Sequence, residues 1–564
     1  MPVVPARMLS LLGLCWLSTA LWAQNTNIPL NSLNDRLLQR YEILDTAVDF
    51  HTFQKPYGRK EAAQLTKNMS GPGINDIPNY RDAYNATYLV NDHSEFFNGI
   101  QSGGNKPLLG LFFQEAAHFF HAEGEHFFVH ADPVIYNTFG SSSNSNTTLF
   151  ENTRGFEIRA GIDQRVGFYV FATDNQATYP EYVTESINTN VQKVVPGLGW
   201  AKPFKESGYD FPVARGHMDV QIFDHLNLQV GQDRIFYGDG IRSLIWSDNA
   251  REPFYVRLQT AFWKVKYQSN FMELVNMNQP RLPDERWRKK YAALHDINIQ
   301  ITPNLQMGLF ESVIFQRNDS LGYPTGFELY YLNPIIFYRS AEYGLGSPDN
   351  VLLGLHWKWN FLHRFSFYGQ FVLDELQFFN LTGNTGWWGN KWGLQSGLKY
   401  INAFGLKNMD IQYELNTVRP YMYSYNNDNG SSYTHYAQAI AHPMGANFLE
   451  HIISIDYQPF PKWWISGKTI MASFGSDSLG SNWGQNIFLD YESREQDFNN
   501  ELLQGVSNTY LYQEWVLSWQ FWHNTFIDGR FIYRQLDNDL SGSNNELFFS
   551  LGVRMNAVIP HFRF

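Results

Sequence analysis

Between Trp515 and Phe521 the odd positions are Trp515, Leu517, Trp519 and Phe521, and the even ones include Ser518 and Gln520. From Leu547 to Met555 they are Leu547, Phe549, Leu551, Val553 and Met555, interleaved with Ser550, Gly552 and Arg554. A period of two places every large side chain on one face of a β-strand. Runs of this kind, about ten residues long and parted by turn-forming residues, recur from Lys106 onward. The large aromatics gather near the ends of these runs. Connections between them alternate between short and long. The chain turns quickly around His523 and Asn524, whereas Asn137 to Asn152, Tyr421 to Tyr433, Asp490 to Asn508 and Asp537 to Asn545 read as long polar loops.

Composition narrows the environment that such strands need. Charged residues make up only 17%, against roughly 25% in soluble domains. With 45 Phe, 32 Tyr and 17 Trp, the chain has too much aromatic surface to remain disordered. The mean hydropathy is −0.35, and the apolar residues are dispersed, which excludes a bundle of membrane-spanning helices. A net charge of −12 gives no basic footprint for nucleic acid, and no nucleic-acid partner is expected. Long one-faced strands, alternating connections and aromatics at strand ends are the pattern of an all-β transmembrane antiparallel β-barrel. A sheet in lipid must close on itself, because an open edge leaves backbone groups without partners. At roughly 22 to 28 residues per strand and connection, the stretch after Lys106 holds about 16 to 20 strands.

The ends of the chain fit an exported barrel. Residues 1–23 have a basic start at Arg7, an apolar run from Met8 to Leu21 and small residues near Ala23, the layout of a secretory signal cleaved before Gln24. The only cysteine, Cys15, falls inside that run, where Leu14 precedes it instead of the small residue that lipid attachment needs. Disulfides and thiol chemistry are therefore not expected after cleavage. Residues 24–106 read as a small helical and irregular N-terminal region, with Leu33, Leu37, Leu38 and Ile43 at helical spacing and a second helix-compatible stretch from Tyr57 to Lys67. Residues 107–564 are assigned to the barrel. The terminal Pro560-His561-Phe562-Arg563-Phe564 resembles the Phe-ended last strand of outer-membrane proteins. Outer-membrane lipid and the barrel-insertion machinery are thereby expected partners, and the outer membrane the expected location.

One segment breaks the strand pattern. Gly231 to Pro253 contains Gly231, Gly238 and Gly240, which we read as structural glycines. It also gathers Asp239, Arg242, Ser243, Asp248, Asn249 and Arg251. Glycine permits close backbone approach. The segment is either an inward-folded loop braced by its own hydrogen bonds or a ligand site, and composition alone does not separate the two. Tyr421, Tyr423, Tyr425 and the Asn-rich residues 426–429 are expected to face outward, as sugar contacts or as an interfacial belt.

The run Gly238-Asp239-Gly240, then Ser243-Leu244 and Ser247-Asp248-Asn249-Ala250 with Pro253, resembles the outer-membrane capsule-assembly family named Wzi. The likeness is to a branch found in Bacteroidota, some members of which are identified as gliding-motility protein RemB. Further matching segments are Phe50 to Tyr57, Leu332-Asn333-Pro334 with Phe337-Tyr338-Arg339, Ser347 to Asn350, and Ala441 to Asn447. Tyr237-Gly238-Asp239-Gly240 and Ser247-Asp248 depart from the Trp-Gly-Pro-Gly and Ser-Asn of the enterobacterial pattern. The resemblance implies an 18-stranded barrel, a helical periplasmic N-terminal region and binding of capsular or exopolysaccharide at the cell surface. It adds Arg339 and His442 to the candidate ligand residues. A structural part in a gliding-motility or surface-adhesin system, with motility or secretion components as partners, and a passive pore are the alternatives.

Neither a metal nor another cofactor is expected. His118, His121, His126 and His130 with Glu123 and Glu125 are metal-ligand types, but Glu123-Gly124-Glu125 reads as a turn between strands, and strand parity sets His118 and His121 on opposite faces. No enzymatic activity is expected either. Gly475 to Gly480 only approaches a nucleophile elbow, and Asp233 with Asp239 is an acid pair of unknown separation.

Overall fold

The computed structural model describes residues 25–45, 50–70, 79–97, 115–163, 165–189, 192–319, 322–334, 349–375, 385–426, 430–478 and 480–562. The signal segment, the boundary near Lys106, Arg339 and Phe564 lie outside the described residues.

A closed, 18-strand antiparallel barrel organises the molecule. It runs from Phe127–Ser142 to Gly542–Met555, and these two strands seal it through the register Phe548↔Ser142 to Met555↔Ile135. Each wall strand pairs with the next wall strand along the chain. The one-faced alternation explains the polarity of the wall. Trp515, Leu517 and Trp519 point outward, as do Leu547, Phe549, Leu551 and Val553, all at least 39% exposed. Their neighbours Glu514, Ser518, Gln520 and Ser550 are buried in the lumen. The wall is thus apolar outside and polar inside, as lipid requires.

One end of the barrel carries short turns, such as 224–225, 263–264, 303–304, 461–462 and 523–524, whereas the other carries long connections such as 233–253, 419–447 and 477–505. Phe223, Phe262, Trp263, Phe404, Phe460 and Trp522 are exposed beside the short turns, forming an aromatic girdle there.

Three N-terminal helices sit at the short-turn end, which faces the periplasm in barrels of this kind. Helix α1 (Leu33–Leu44) starts where the Ser32 side chain accepts the Asp35 N–H, and it buries Leu33, Leu37, Leu38 and Tyr41. Helix α2 spans Arg59–Ser70 and α3 Tyr80–Asp92, the latter capped by Asn79. Polar side chains fasten this group to the wall. Asn79 donates to Asn408 at 2.7 Å and Asn85 to Gln458 at 2.9 Å. Arg40 pairs with Asp410, and Tyr88 with Asn524.

Three sequence expectations are corrected. Residues 137–152 are not a long loop, since Phe127–Ser142 and Ser145–Ile162 are joined by a two-residue turn. Likewise only three residues separate Asn538, which ends one strand, from Gly542, which begins the next. At both places the strands run on into tight turns, and the Asn, Ser and Thr around those turns break the alternation. The third correction is at the C-terminus, where the last strand ends at Met555 instead of in a terminal aromatic. Asn556 adopts a left-handed φ of 51°, and the chain turns back into the lumen. There His561 meets Glu514 at 3.2 Å. The Phe562 carbonyl accepts from Tyr182 at 3.1 Å, in helix α4 (Glu181–Thr189) of a connection at the far end.

Replacing an outward residue by a charge tests this orientation. Leu551→Arg is expected to lower folding stability in lipid vesicles by about 2–4 kcal/mol if the site lies near the bilayer midplane, read from denaturant titrations. An unchanged midpoint would contradict the assignment of that face to lipid.

Candidate functional site

The connection after Gln232 does not project outward; it folds into the lumen. Gly231 itself lies within the strand Leu226–Gln232, paired with His217 and Tyr255. Inside, Phe236–Tyr237 forms a small antiparallel sheet with Gln54–Lys55 of the N-terminal region, in the register Gln54↔Tyr237 and Lys55↔Phe236. The Gly238 N–H adds a bond of 2.8 Å to the Phe53 carbonyl. Two segments nearly two hundred residues apart thereby share one sheet within the barrel.

Local chemistry fixes the loop beyond that point. The Ser243 hydroxyl donates to the Tyr237 carbonyl at 2.5 Å and accepts the N–H groups of Ile245 and Trp246 at 3.0 and 3.2 Å, a serine-centred turn. Gly240 passes the wall so closely that a Cβ there would lie 2.4 Å from a Glu414 carboxylate oxygen. That same carboxylate accepts the N–H groups of Ile241 and Arg242 at 2.7 and 3.0 Å. Phe53, Tyr237, Leu244, Ile245 and Trp246 join Tyr423, Tyr433 and Phe448 in one apolar cluster.

The charged residues of the motif are engaged within this joint. Asp239 accepts from Thr52, and its carboxylate lies 3.7 Å from the Lys358 ammonium. Burial pushes that carboxyl up, but Lys358, Lys399, Lys55 and the Thr52 bond outweigh it and hold its pKa below the ordinary value. Asp233 is held separately by His217, at 3.0 Å. Arg242 reaches Glu450 at 3.0 Å, and the same carboxylate meets His442 Nε2 at 2.8 Å. The Met444 N–H donates to His442 Nδ1 at 3.2 Å, which makes Nε2 the donor toward Glu450. Burial, partly offset by Glu450, keeps the His442 pKa below the usual histidine value.

Asp248, Asn249 and Arg251 lie nearer solvent. Asp248 accepts from Asn31 at 2.9 Å, Asn249 donates to the Ala439 carbonyl at 2.9 Å, and the Arg251 guanidinium lies 4.8 Å over the Tyr436 ring. Asp248, Asn249 and Arg242 line a cavity of about 300 Å³ together with Arg215, Arg234 and the C-terminal residues 557–562. The motif therefore divides into a buried part (Asp239, Ser243 and, largely, Arg242) and a part that borders space.

Sequence reading places Tyr421 and Tyr423 at an outward tip, and this is corrected. Both are 1% exposed, because their hydroxyls donate inward, to the Asn482 carbonyl at 2.8 Å and the Leu244 carbonyl at 2.7 Å. A cluster takes that place at the long-connection end, of which sequence reading named Tyr425 and missed Trp388, Tyr491 and Arg494. Trp388 packs 5.0 Å from Tyr491, Tyr425 packs 5.5 Å from Tyr491, and the Arg494 guanidinium lies 4.3 Å over Trp388. These rings and Trp387 are only partly buried. The adjacent Trp387-Trp388 pair, set between glycines in a polar connection, was the available signal. Parity also failed for the histidines: the short strand starts at Phe120, so His118 is not in its register, and His118 and His121 both lie against His130, with ring centroids 3.8 and 4.9 Å away.

No family profile and no curated protein matches the chain. Among solved structures, it is similar to Wzi of Escherichia coli, an outer-membrane protein involved in group 1 capsule assembly and a carbohydrate-binding β-barrel. The identity is 13% and the TM-score 0.54, over 95% of this chain and 100% of that one. OprD of Pseudomonas aeruginosa is 12% identical over 77% of this chain and 95% of its own, with a TM-score of 0.42. OccAB2 of Acinetobacter baumannii is 8% identical over 76% and 97%, with a TM-score of 0.41. At this identity the likeness to Wzi establishes a shared fold and no more.

Breaking the lumen joint measures what it contributes. Arg242→Ala leaves Glu450 buried beside His442 without its guanidinium partner, and it is expected to cost about 3–5 kcal/mol of unfolding free energy. Denaturant titration in detergent reads this directly. A loss below 1 kcal/mol, roughly what an exposed pair gives, would mean that the pair is solvated.

Proposed function

We propose that this protein is a non-enzymatic outer-membrane barrel that holds a surface polysaccharide, capsular or exopolysaccharide, at the outer face. The observation that carries the reading is the joint inside the lumen. A barrel whose interior is crossed by its own loop, locked to the N-terminal region by a shared sheet, is suited to presenting a surface and poorly suited to passing a polymer. The full-length fold likeness to a carbohydrate-binding barrel supports the same reading.

Two regions are assigned to the sugar. Trp387, Trp388, Tyr425 and Tyr491 offer ring faces at the long-connection end, where the apolar face of a pyranose can stack, and Arg494 supplies donors beside them. Asp248, Asn249 and Arg251 offer directional hydrogen bonds nearer the lumen. Asp239, Ser243, Arg242 and His442 act as braces that set the loop in place. Gly238 and Gly240 permit its close passage along the wall.

Binding of the purified barrel to the organism's own surface polysaccharide tests the proposal. Trp388→Ala and Tyr491→Ala variants that keep heat-modifiable electrophoretic mobility are expected to bind roughly tenfold more weakly. An Asn249→Ala variant should show a smaller loss. Absence of binding by the folded wild-type protein would overturn the reading.

A further inference from the structure

Outside the lumen joint, the segment that leads into the first barrel strand collects three metal-ligand side chains. Glu115 precedes the short strand Phe120–Glu123, His121 lies within it, and His130 lies on the barrel strand Phe127–Ser142 with which it pairs, in the register His121↔His130. One potential ligand atom from each of Glu115, His121 and His130 falls within 4.8 Å of the other two. His130 is wholly buried, and neither of its ring nitrogens has a hydrogen-bond partner among the described residues. Nδ1 of His121 is buried in the same condition. Buried ring nitrogens ordinarily find a partner, so an unpartnered His130 beside the His121 imidazole and the Glu115 carboxylate calls for an occupant.

The surroundings separate ligands from supports. His118 is already committed, with Nδ1 2.8 Å from the Asp132 carboxylate and Nε2 3.0 Å from the Arg159 guanidinium. Because a guanidinium only donates, His118 Nε2 accepts and Nδ1–H is given to Asp132. Glu115 is oriented by Ser94, whose hydroxyl donates to it at 3.1 Å, the kind of outer contact that fixes a ligating carboxylate. His121 Nε2 and Glu115 Oε1 stand 3.3 Å apart, about the edge of a tetrahedron built on metal–ligand bonds of roughly 2.0–2.2 Å.

We propose that Glu115, His121 and His130 form a binding site for a divalent cation of the zinc class. Two imidazoles and one carboxylate suit Zn²⁺, whereas Mg²⁺ and Ca²⁺ take oxygen ligands. The site ties three successive pieces of chain together at the short-turn mouth and leaves one coordination position for water. Its role is to staple the approach segment to the wall.

The test uses the full-length, tag-free protein folded in detergent, stripped with a chelator and titrated with Zn²⁺ against a chromophoric competitor. One Zn²⁺ per chain is expected, with at least tenfold weaker binding in Glu115→Gln and His130→Gln and unchanged binding in Glu123→Gln and His126→Gln. Should His130→Gln lose its heat-modifiable mobility, Glu115→Gln carries the test, because its side chain is partly exposed. Co²⁺ added in place of Zn²⁺ should give the visible absorption of a low-symmetry nitrogen–oxygen site. Failure of the folded wild-type protein to bind one equivalent would overturn the assignment, as would stoichiometric binding that Glu115→Gln and His121→Gln leave unaltered.

Discussion

The pairing of Gln54–Lys55 with Phe236–Tyr237 is the contact on which the interior depends. A wall whose outer face meets lipid must place its polar side chains inward, and a lumen of 18 strands is too wide for those side chains to fill alone. The buried charges of the wall therefore need partners from elsewhere. Lys358 finds Glu42 and Thr52 of the N-terminal region. Glu414 takes two backbone N–H groups of the loop, and Glu450 takes Arg242. The small sheet holds loop and N-terminal region in the positions from which they satisfy the wall, and the wall in turn fixes them.

This mutual dependence explains why the motif residues sit where they do. Asp239 stands between Thr52 and Lys358, so it links the loop to both of the other parties. Ser243 closes the turn that carries Leu244, Ile245 and Trp246 into the apolar cluster. The residues that border space are Asp248 to Arg251 and the rings around Trp388, and the proposed sugar contacts fall there.

Much of the architecture was legible because lipid imposes a strict rule. Trp515 to Phe521 and Leu547 to Met555 alternate cleanly, since each outward position meets hydrocarbon. Leu33, Leu37 and Leu38 revealed helix α1 at a different period, because they share one face buried against the rest of the N-terminal region. Legibility ended where that rule no longer applied. Residues 137–152 are two strand ends joined by a tight turn rich in Asn, Ser and Thr, so they resembled a loop. Helix α3 escaped because its buried face includes Asn85 and Asp92, polar residues answered by the wall. The convergence of His118, His121 and His130, like the inward burial of Tyr421 and Tyr423, rests on partners distant in sequence or outside strand register, to which local pattern is blind.

A lumen crossed by its own loop is expected to carry no steady ionic current. Electrical conductance across a planar bilayer containing the folded protein tests it most directly, compared with a variant in which residues 234–252 are replaced by a short Gly-Ser linker and which keeps heat-modifiable mobility. No large steady current is expected through the wild-type barrel, and a steady current is expected through the variant. A large steady current through the wild-type protein would contradict it.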